Sequence, residues 1–347
     1  MKTLHLICAA RPNFVKIAPL YHALKGEPWC DAKIIHTGQH YDYKMSEVYF
    51  KDFALPSPHY SLGVNAGSHA EQTGQTMIAY EKICLKEKPD LVVVVGDVNA
   101  TLACAITAKK LQLKVAHLEA GLRAFDRSMP EELNRIMTDS ICDYHWTPSQ
   151  DANDNLKREG KHPDQINLVG NIMIDTYCLF KKDILLREKP IQCSKYAVLT
   201  LHRPFNADST ERLKTIMAKL SMLQENIIFP AHPRTQKTLT EIALPPNIHI
   251  TEPMGYIDFM ALISKAQYVI TDSGGIQEET TYMQIPCYTL RSSTERPITT
   301  TIGSNQLVTI DNLLEKIKKP KRGEIPPLWD GKTAFRVREC ISKIFWV

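Results

Sequence analysis

Short apolar runs alternate along the whole chain with segments whose apolar residues recur every three or four positions. The runs are rich in Val, Ile and Leu with few polar breaks, which predicts parallel strands that are buried on both faces. In the first half, the predicted strands are 3–10, 31–38, 90–97, 113–121, 144–149 and 166–171. In the second half, they are 196–201, 227–232, 247–253, 266–273 and 285–290.

Segments with helical periodicity separate these runs, so the pattern predicts two βα arrays in series. The predicted helices are 13–25, 69–87, 99–111, 131–141, 208–224, 235–243, 256–265 and 274–283. Arrays of this kind form α/β, doubly wound sheets, and we expect two Rossmann-like domains that face a central cleft. The expected boundaries are 1–175 for the N-terminal domain and 176–332 for the C-terminal domain. A last helix, 333–347, could pack back on the N-terminal domain.

Composition narrows the class of protein. A length of 347 residues suits two domains, and a formal net charge of +4 is too small to predict a nucleic-acid or membrane partner. No apolar stretch approaches the roughly 18 residues of a membrane span, and the start shows no cleavable signal pattern. The nine scattered cysteines contain no CxxC pair, which indicates reduced thiols in a cytoplasmic protein. No metal-ligand spacing appears, so no metal is expected.

Polar residues follow several predicted strands of the first half, at the edge where α/β sheets bind ligands. Arg11 follows the first strand and could hold a phosphate. Asp97 follows the third strand, where it could equally cap the next helix. The fourth strand leads into a segment with seven charged residues: Glu119, Arg123, Asp126, Arg127, Glu131, Glu132 and Arg135. Glu131 and Glu132 could simply complement a helix dipole, whereas Glu119 is confined beside Ala120 and Gly121.

The second half places two histidines and a glycine turn after its strands. His202 with Arg203, and His232 with Arg234, each follow a strand, which favours a ligand over a purely structural role. The stretch ITDSGGIQEE, 270–279, leaves backbone amides bare at a predicted helix start, which is an anion site. Its two glutamates lie one turn further on, where carboxylates accept hydrogen bonds from a ribose. The stretch therefore predicts a nucleoside diphosphate site. Walker and GxGxxG patterns are absent, so no nicotinamide or flavin cofactor is expected.

Taken in order, these stretches resemble the non-hydrolysing UDP-N-acetylglucosamine 2-epimerase family. The motifs are ARPNFVKIAPL, TGQHYDYKMSEVYF, GDVNATLA, HLEAGLR, MPEELNRIMTD, GN (170–171), HRPFN, HPRT, TDSGGIQEE and TERP. The resemblance implies a glycosyltransferase-B type architecture. It implies that the catalytic residues are Asp97, Glu119, Glu131 and His202. It also implies UDP-sugar contacts from Arg11, Arg123, Arg135, Asn171, Arg203, His232, Ser273, Gly274, Gly275, Glu278, Glu279 and Arg296.

The family's activity implies an isomerase that interconverts UDP-N-acetylglucosamine and UDP-N-acetylmannosamine for surface polysaccharide synthesis. UDP is eliminated, a 2-acetamidoglucal forms, and UDP adds back after reprotonation from the other face. The route needs no cofactor and no metal, and the sequence leaves open which carboxylate is the base and which the acid. The resemblance also implies a homodimer, for which the apolar helices 13–25 and 69–87 could supply a face.

Two departures from the family pattern keep alternatives open. HRPFN carries Pro204 and Phe205 at positions that are usually polar. The segment 63–74 lacks the basic stretch that many members use near an activating second UDP-sugar, so such activation is not expected. The alternatives are a hydrolysing epimerase that releases N-acetylmannosamine, and a 2-epimerase of another UDP-2-acetamido sugar such as a diacetamido-uronic acid. A glycosyltransferase and a non-catalytic UDP-sugar binder are more remote.

Overall fold

The computed structural model describes residues 1–9, 11–38, 49–64, 67–188 and 195–346. The chain divides into two compact units. Unit 1 comprises Met1–Leu179 and Pro327–Val347, and unit 2 comprises Phe180–Pro326. Each unit is built around one parallel sheet. Among the described residues, none of the helices combines the length and the apolar character that a bilayer crossing requires.

The sheet of unit 1 has seven strands in the order β3-β2-β1-β4-β5-β6-β7, and every neighbouring pair is parallel. The strands are β1 Lys2–Cys8, β2 Cys30–His36, β3 Tyr60–Ser61, β4 Leu91–Val95, β5 Val115–Leu118, β6 Tyr144–Thr147 and β7 Ile166–Leu168. The central strand β4 is buried along its whole length, as its unbroken run of Leu and Val predicts. The strand order reverses between β1 and β4, which defines the ligand-binding edge of a doubly wound sheet.

Helices cover both faces of this sheet. They are α1 Arg11–Leu24, α2 His69–Glu87, α3 Asn99–Lys110, α4 Pro130–Ile141, α5 Gln150–Arg158, α6 Ile172–Leu179 and, after unit 2, α15 Thr333–Trp346. Helix α3 packs between α2 and α4. Helix α1 is covered by α6 and α15, and its residues 13–20 are buried. This helix therefore has no apolar face to offer a second subunit, which corrects the expectation for 13–25.

Unit 2 repeats the same winding with six parallel strands in the order β10-β9-β8-β11-β12-β13. The strands are β8 Tyr196–Thr200, β9 Asn226–Pro230, β10 Ile248–Thr251, β11 Val269–Thr271, β12 Cys287–Thr289 and β13 Asn305–Leu307. The helices are α7 Lys181–Leu186, α8 Pro204–Ala207, α9 Thr210–Leu220, α10 Pro233–Leu239, α11 Tyr256–Ser264, α12 Gly274–Met283, α13 Pro297–Thr301 and α14 Leu313–Lys318. The prediction of an α/β fold with two doubly wound sheets is confirmed.

Candidate active site

The first acid of unit 1, Asp97, lies at the carboxyl end of β4. Its carboxylate forms an ion pair with Arg135 of α4, and the same guanidinium binds Glu132 at 2.7 Å. The Asn134 side chain donates to the Asp97 backbone carbonyl at 2.9 Å. The Asp97 side chain is 28% exposed although that of Arg135 is buried. A buried cation therefore holds this carboxylate at the strand end while leaving it accessible.

The second acid, Glu119, follows the neighbouring strand β5. Its φ of +76° lies in the left-handed region, which is uncommon for a residue other than glycine. Its carboxylate forms a buried ion pair with Lys16 of α1. Gly96, with φ +69°, lies against this pair. A Cβ at Gly96 would be 3.0 Å from the Lys16 amine and 3.4 Å from the Glu119 carboxylate. The ends of β4 and β5 thus share one corner of the site.

Lys16 is a site residue that the sequence reasoning missed. It lies within FVKIAPL, where it is the one charged residue of an apolar stretch. A lysine that is almost fully buried needs a counter-charge, because an unpaired buried charge is costly. The isolated lysine was therefore a usable signal, but its partner Glu119 is 103 residues away along the chain.

A buried polar network lies behind the two acids. His117 places Nδ1 2.6 Å from an Asp139 oxygen and Nε2 2.9 Å from the Gly96 carbonyl. The other Asp139 oxygen accepts a hydrogen bond from the Gly121 amide at 3.0 Å. Burial acts to raise the pKa of Asp139, but His117 and Arg123 outweigh it and hold that pKa far below the usual range. The network fixes the backbone on both sides of Glu119 and just before Asp97.

Two residues expected to contact substrate are instead bound by the fold of unit 1. The Arg123 guanidinium lies 2.8 Å from Asp139 and donates to Glu159 at 2.8 and 2.6 Å, and its side chain is buried. Asn171 is also buried, and its side-chain oxygen accepts from the Met173 amide at 2.9 Å at the start of α6. These contacts give both residues structural roles within unit 1, and their expected contact with substrate stays a prediction.

The two glutamates at the start of α4 differ in their surroundings. Glu131 is exposed, so its carboxylate is accessible to a ligand. Glu132 is buried, and besides Arg135 it accepts hydrogen bonds from the backbone amides of Ala124 and Phe125 at 3.0 and 2.8 Å. Glu132 therefore organises the loop after β5 and orients the cation that holds Asp97.

In unit 2, His202 and Arg203 follow β8 and both contact Asp272, the residue after β11. The His202 Nδ1 lies 2.8 Å from an Asp272 oxygen, and Arg203 Nε donates to the Asp272 carbonyl at 3.1 Å. The His202 side chain is 54% exposed, whereas the Asp272 side chain is fully buried. His232 is exposed after β9. The side chains of Arg11 and Arg234, and the motif residues 39–48, lie outside what the structure describes.

The glycine turn forms the start of α12. Ser273 precedes the helix, and a Cβ placed on Gly274 would lie 2.6 Å from a Glu295 oxygen and 2.7 Å from Arg296 Nη1. Arg296 is therefore next to the amides predicted to bind a diphosphate. Its Nε lies 2.8 Å from Glu278, which is buried, as is Glu279. Glu278 thus pairs with Arg296, and its expected contact with a ribose stays a prediction.

The chain is similar in sequence to known nucleotide-sugar epimerases. A family model described as UDP-N-acetylglucosamine 2-epimerase matches residues 22–342. The UDP-N-acetylglucosamine 2-epimerase of Methanocaldococcus jannaschii is 42% identical over 363 residues, covering 98% of both chains. The UDP-2,3-diacetamido-2,3-dideoxy-D-glucuronate 2-epimerase of Pseudomonas aeruginosa is 35% identical, covering 99% of this chain and 100% of its own.

Solved structures of UDP-N-acetylglucosamine 2-epimerases superpose on this chain over nearly its whole length. The M. jannaschii UDP-GlcNAc 2-epimerase in complex with UDP-GlcNAc and UDP superposes with a TM-score of 0.92 at 41% identity. That match covers 98% of this chain and 99% of the other. The glycosyltransferase SnogD from Streptomyces nogalater has a TM-score of 0.56 at 14% identity, over 99% and 96% of the two chains. At that identity the likeness concerns the fold alone.

Proposed function

We propose, since the chain belongs to the UDP-N-acetylglucosamine 2-epimerase family, that it is an isomerase that interconverts UDP-N-acetylglucosamine and UDP-N-acetylmannosamine. The observation that carries the proposal is the pair of carboxylates at the ends of β4 and β5, Asp97 and Glu119, each held by its own buried cation. Inversion of carbon 2 requires a base on one face of the sugar and an acid on the other.

The reaction proceeds by elimination and re-addition. The C2–H and C1–O bonds break, a C1=C2 double bond forms in a 2-acetamidoglucal, and the proton passes to a carboxylate of the site. Reprotonation on the opposite face and return of UDP complete the inversion. Carboxylates can serve as both acid and base where burial and charged neighbours set their pKa values apart. Glu131, exposed on α4, is the third acid that we assign to this chemistry.

The leaving diphosphate gains negative charge, and unit 2 supplies the groups that stabilise it. We assign this role to the amides of Gly274 and Gly275 at the start of α12, because helix N-termini attract anions. Arg296 adds a cation beside that turn, and His202 adds a hydrogen-bond donor. Donors fixed in place before the charge develops are the most effective stabilisers. Glu279 remains our assignment for the ribose.

A second candidate substrate is supported by one comparison. The relative from P. aeruginosa that matches the full chain is named a UDP-2,3-diacetamido-2,3-dideoxy-D-glucuronate 2-epimerase. The same elimination would serve that sugar, since it too carries an acetamido group at carbon 2. The second sugar differs from the first by a carboxylate at carbon 6 and an acetamido group at carbon 3, both of which the site would have to accept.

Incubation with UDP-N-acetylglucosamine in deuterium oxide tests the proposal. Solvent deuterium should appear at carbon 2, and UDP-N-acetylmannosamine should form with UDP still attached. Release of free N-acetylmannosamine would instead identify a hydrolysing epimerase. If deuterium exchanges into the UDP-diacetamido-uronate but not into UDP-N-acetylglucosamine, the second sugar is the substrate. Binding without exchange of either would leave a transferase or a non-catalytic binder.

Variants of the two acids sharpen this test. Asp97→Asn and Glu119→Gln should each lower the exchange rate about 100-fold or more, because a positioned acid–base group contributes roughly 10²–10⁴. Asp126→Asn is the matched control, since it removes an exposed carboxylate from the loop after β5, which also carries Glu119. Full activity in Asp97→Asn or Glu119→Gln would remove that residue from the proposed mechanism.

We further propose that the protein is a homodimer, that it acts in the cytoplasm, and that its product is a surface polysaccharide precursor. Cys8, Cys30, Cys84, Cys104, Cys142, Cys287 and Cys340 are free thiols, as is usual in a reducing compartment. Apolar side chains on α2 and α4 reach the surface of unit 1, where a second subunit could cover them.

A further inference from the structure

Asp272 lies where the strand order of unit 2 reverses. In the order β10-β9-β8-β11-β12-β13 the reversal falls between β8 and β11, and ligands of open α/β sheets bind at such a point. Asp272 follows β11 directly and precedes Ser273, the first residue of the glycine turn. A carboxylate thus adjoins the turn to which we assign an anionic group, so its charge must be taken up by other contacts.

Hydrogen-bond donors from the segment after β8 contact the Asp272 carboxylate. One Asp272 oxygen accepts from the His202 amide at 3.1 Å and lies 2.8 Å from His202 Nδ1. The other accepts from the Arg203 amide and from Asn206 Nδ2, both at 3.1 Å. Burial acts to raise the pKa of Asp272, but these donors outweigh it and bring the pKa below its usual value. The carboxylate is therefore ionised and fully engaged with the His202 segment.

The direction of these contacts determines which ring nitrogen of His202 carries the hydrogen. An ionised carboxylate only accepts, so Nδ1 must donate to it. The other nitrogen, Nε2, is on the side of the ring away from the buried Asp272 carboxylate, and the His202 side chain as a whole is 54% exposed. We propose that Asp272 is a positioning residue that fixes the Nδ1–H form of His202 and thereby presents Nε2 to the leaving diphosphate oxygen.

This inference rests on the proposed function, which supplies the reaction. When the C1–O bond breaks, its electron pair passes to the UDP oxygen, and the carbon 2 proton goes to a carboxylate of unit 1. Nε2 takes up a proton from solvent before this step, and the resulting Nε2–H donates a hydrogen bond to that oxygen while the buried Asp272 charge stabilises the ring cation. Asp272 itself neither gains nor loses a proton, so its effect is exerted entirely through His202.

Asp272→Asn tests the orientation directly. The asparagine oxygen is expected to face the Arg203 amide and Asn206, because two donors meet there. Its NH₂ group then faces His202 Nδ1 and reverses the tautomer, so that Nε2 carries the hydrogen of the neutral ring. Because the neutral amide no longer stabilises the protonated ring, we expect kcat to fall about 100-fold, at the lower end of what a positioned acid–base group contributes. The affinity for UDP should stay unchanged, since the glycine turn remains intact.

A double-variant cycle separates positioning from a merely structural role. In a His202→Asn background, adding Asp272→Asn should cause no further loss of kcat, because the residue through which Asp272 acts is already gone. Multiplied losses, or a fall in UDP affinity that parallels a lower Tm, would overturn the proposal. Asp208→Asn is the charge control: it neutralises an exposed carboxylate at the end of α8 and should keep the parent kcat.

The tautomer can be read without any activity. Nitrogen-15 spectra of histidine-labelled protein at high pH should show Nδ1–H for His202 in the parent, assigned by its loss in His202→Asn. The signal should shift to Nε2–H in Asp272→Asn. A parent that already carries the hydrogen on Nε2 would overturn the proposal even if the variant fails to fold. If the parent shows the Nδ1–H form but no deuterium exchange, the proposed function fails while the Asp272–His202 geometry stands.

Discussion

Gly96 lies against the Lys16–Glu119 ion pair and has a backbone conformation that favours glycine. Its φ of +69° and the 3.0 Å between its Cβ position and the Lys16 amine leave no alternative to glycine. Gly96→Ala should destabilise unit 1 by about 1–2 kcal/mol through backbone strain. It should also displace the Lys16–Glu119 pair and so lower kcat/KM far more than the stability change explains.

Gly160→Ala is the matched control for that variant. Gly160 has φ +83°, and a Cβ there would meet nothing within 4 Å. It should show the strain, measured as a lower unfolding midpoint, with unchanged kcat/KM. Equal activity losses in the two variants would mean that the contact with Lys16 and Glu119 does not matter.

At the same scale, the sequence could predict positions but not pairings. Asp97 and Glu119 were predictable because apolar runs mark where a buried strand ends, and polar residues beyond that point face the ligand edge. The ion-pair partners of the arginines could not be predicted, because arginines in similar stretches of sequence pair with acids from different parts of the fold. Arg123 pairs with Asp139, and Arg135 pairs with Asp97, which lies 38 residues away along the chain. Only the folded backbone distinguishes a buried structural arginine from one beside the site.

Among the elements, α15 depends on one buried carboxylate. Asp175 of α6 accepts a hydrogen bond from the Ala334 amide at 2.7 Å in the first turn of α15. Burial raises the pKa of Asp175 to about 6, and the hydrogen bonds from the α15 start only partly oppose this. In the unfolded chain the group titrates near about 3.9. The folded state therefore binds the extra proton between about pH 4 and pH 6, and stability falls as pH rises through that window.

Asp175→Asn should remove this dependence. The asparagine oxygen can still accept from the Ala334 amide, but it cannot ionise. Relative to the parent, the variant should gain stability as pH rises from about 4 to about 7, by about 3 kcal/mol in total. For a unit of this size that amounts to several degrees in Tm, measurable by calorimetry at each pH. A difference that is flat with pH, or that falls as pH rises, would contradict the raised pKa.

The regular elements were predictable where burial imposes a pattern. Strands buried on both faces read as apolar runs, and every predicted run contains a strand. Strand β3 has two residues and β13 reads Asn-Gln-Leu, so neither carries an apolar run. Helix α5, QDANDNLKR, has one leucine in nine residues and was missed for the same reason. Its helical form depends on packing against β6 and β7 rather than on its own pattern.

For the whole molecule, the surface of unit 1 carries apolar side chains that its own fold does not cover. Ile78 and Leu85 of α2 are 62% and 57% exposed. They lie seven residues apart and so on one face of the helix. Leu133 and Met137 of α4 are also exposed, on the other side of α3. Contiguous exposed apolar patches mark protein–protein contacts, and we propose that this face is part of one. A symmetric dimer would place the same face of both subunits together.

If the proposed dimer forms through this face, Leu85→Lys should dissociate it, because two lysines would be buried against an apolar face without counter-charges. The variant should keep the parent's Tm for unit 1 as a monomer, since the leucine is already exposed there. Light scattering after size-exclusion chromatography reports the mass. Leu186→Lys is the control: an equally drastic change at a leucine of α7 in unit 2 that is 73% exposed. A monomeric parent would contradict the proposed dimer. Dissociation by Leu186→Lys alone would place the contact away from α2.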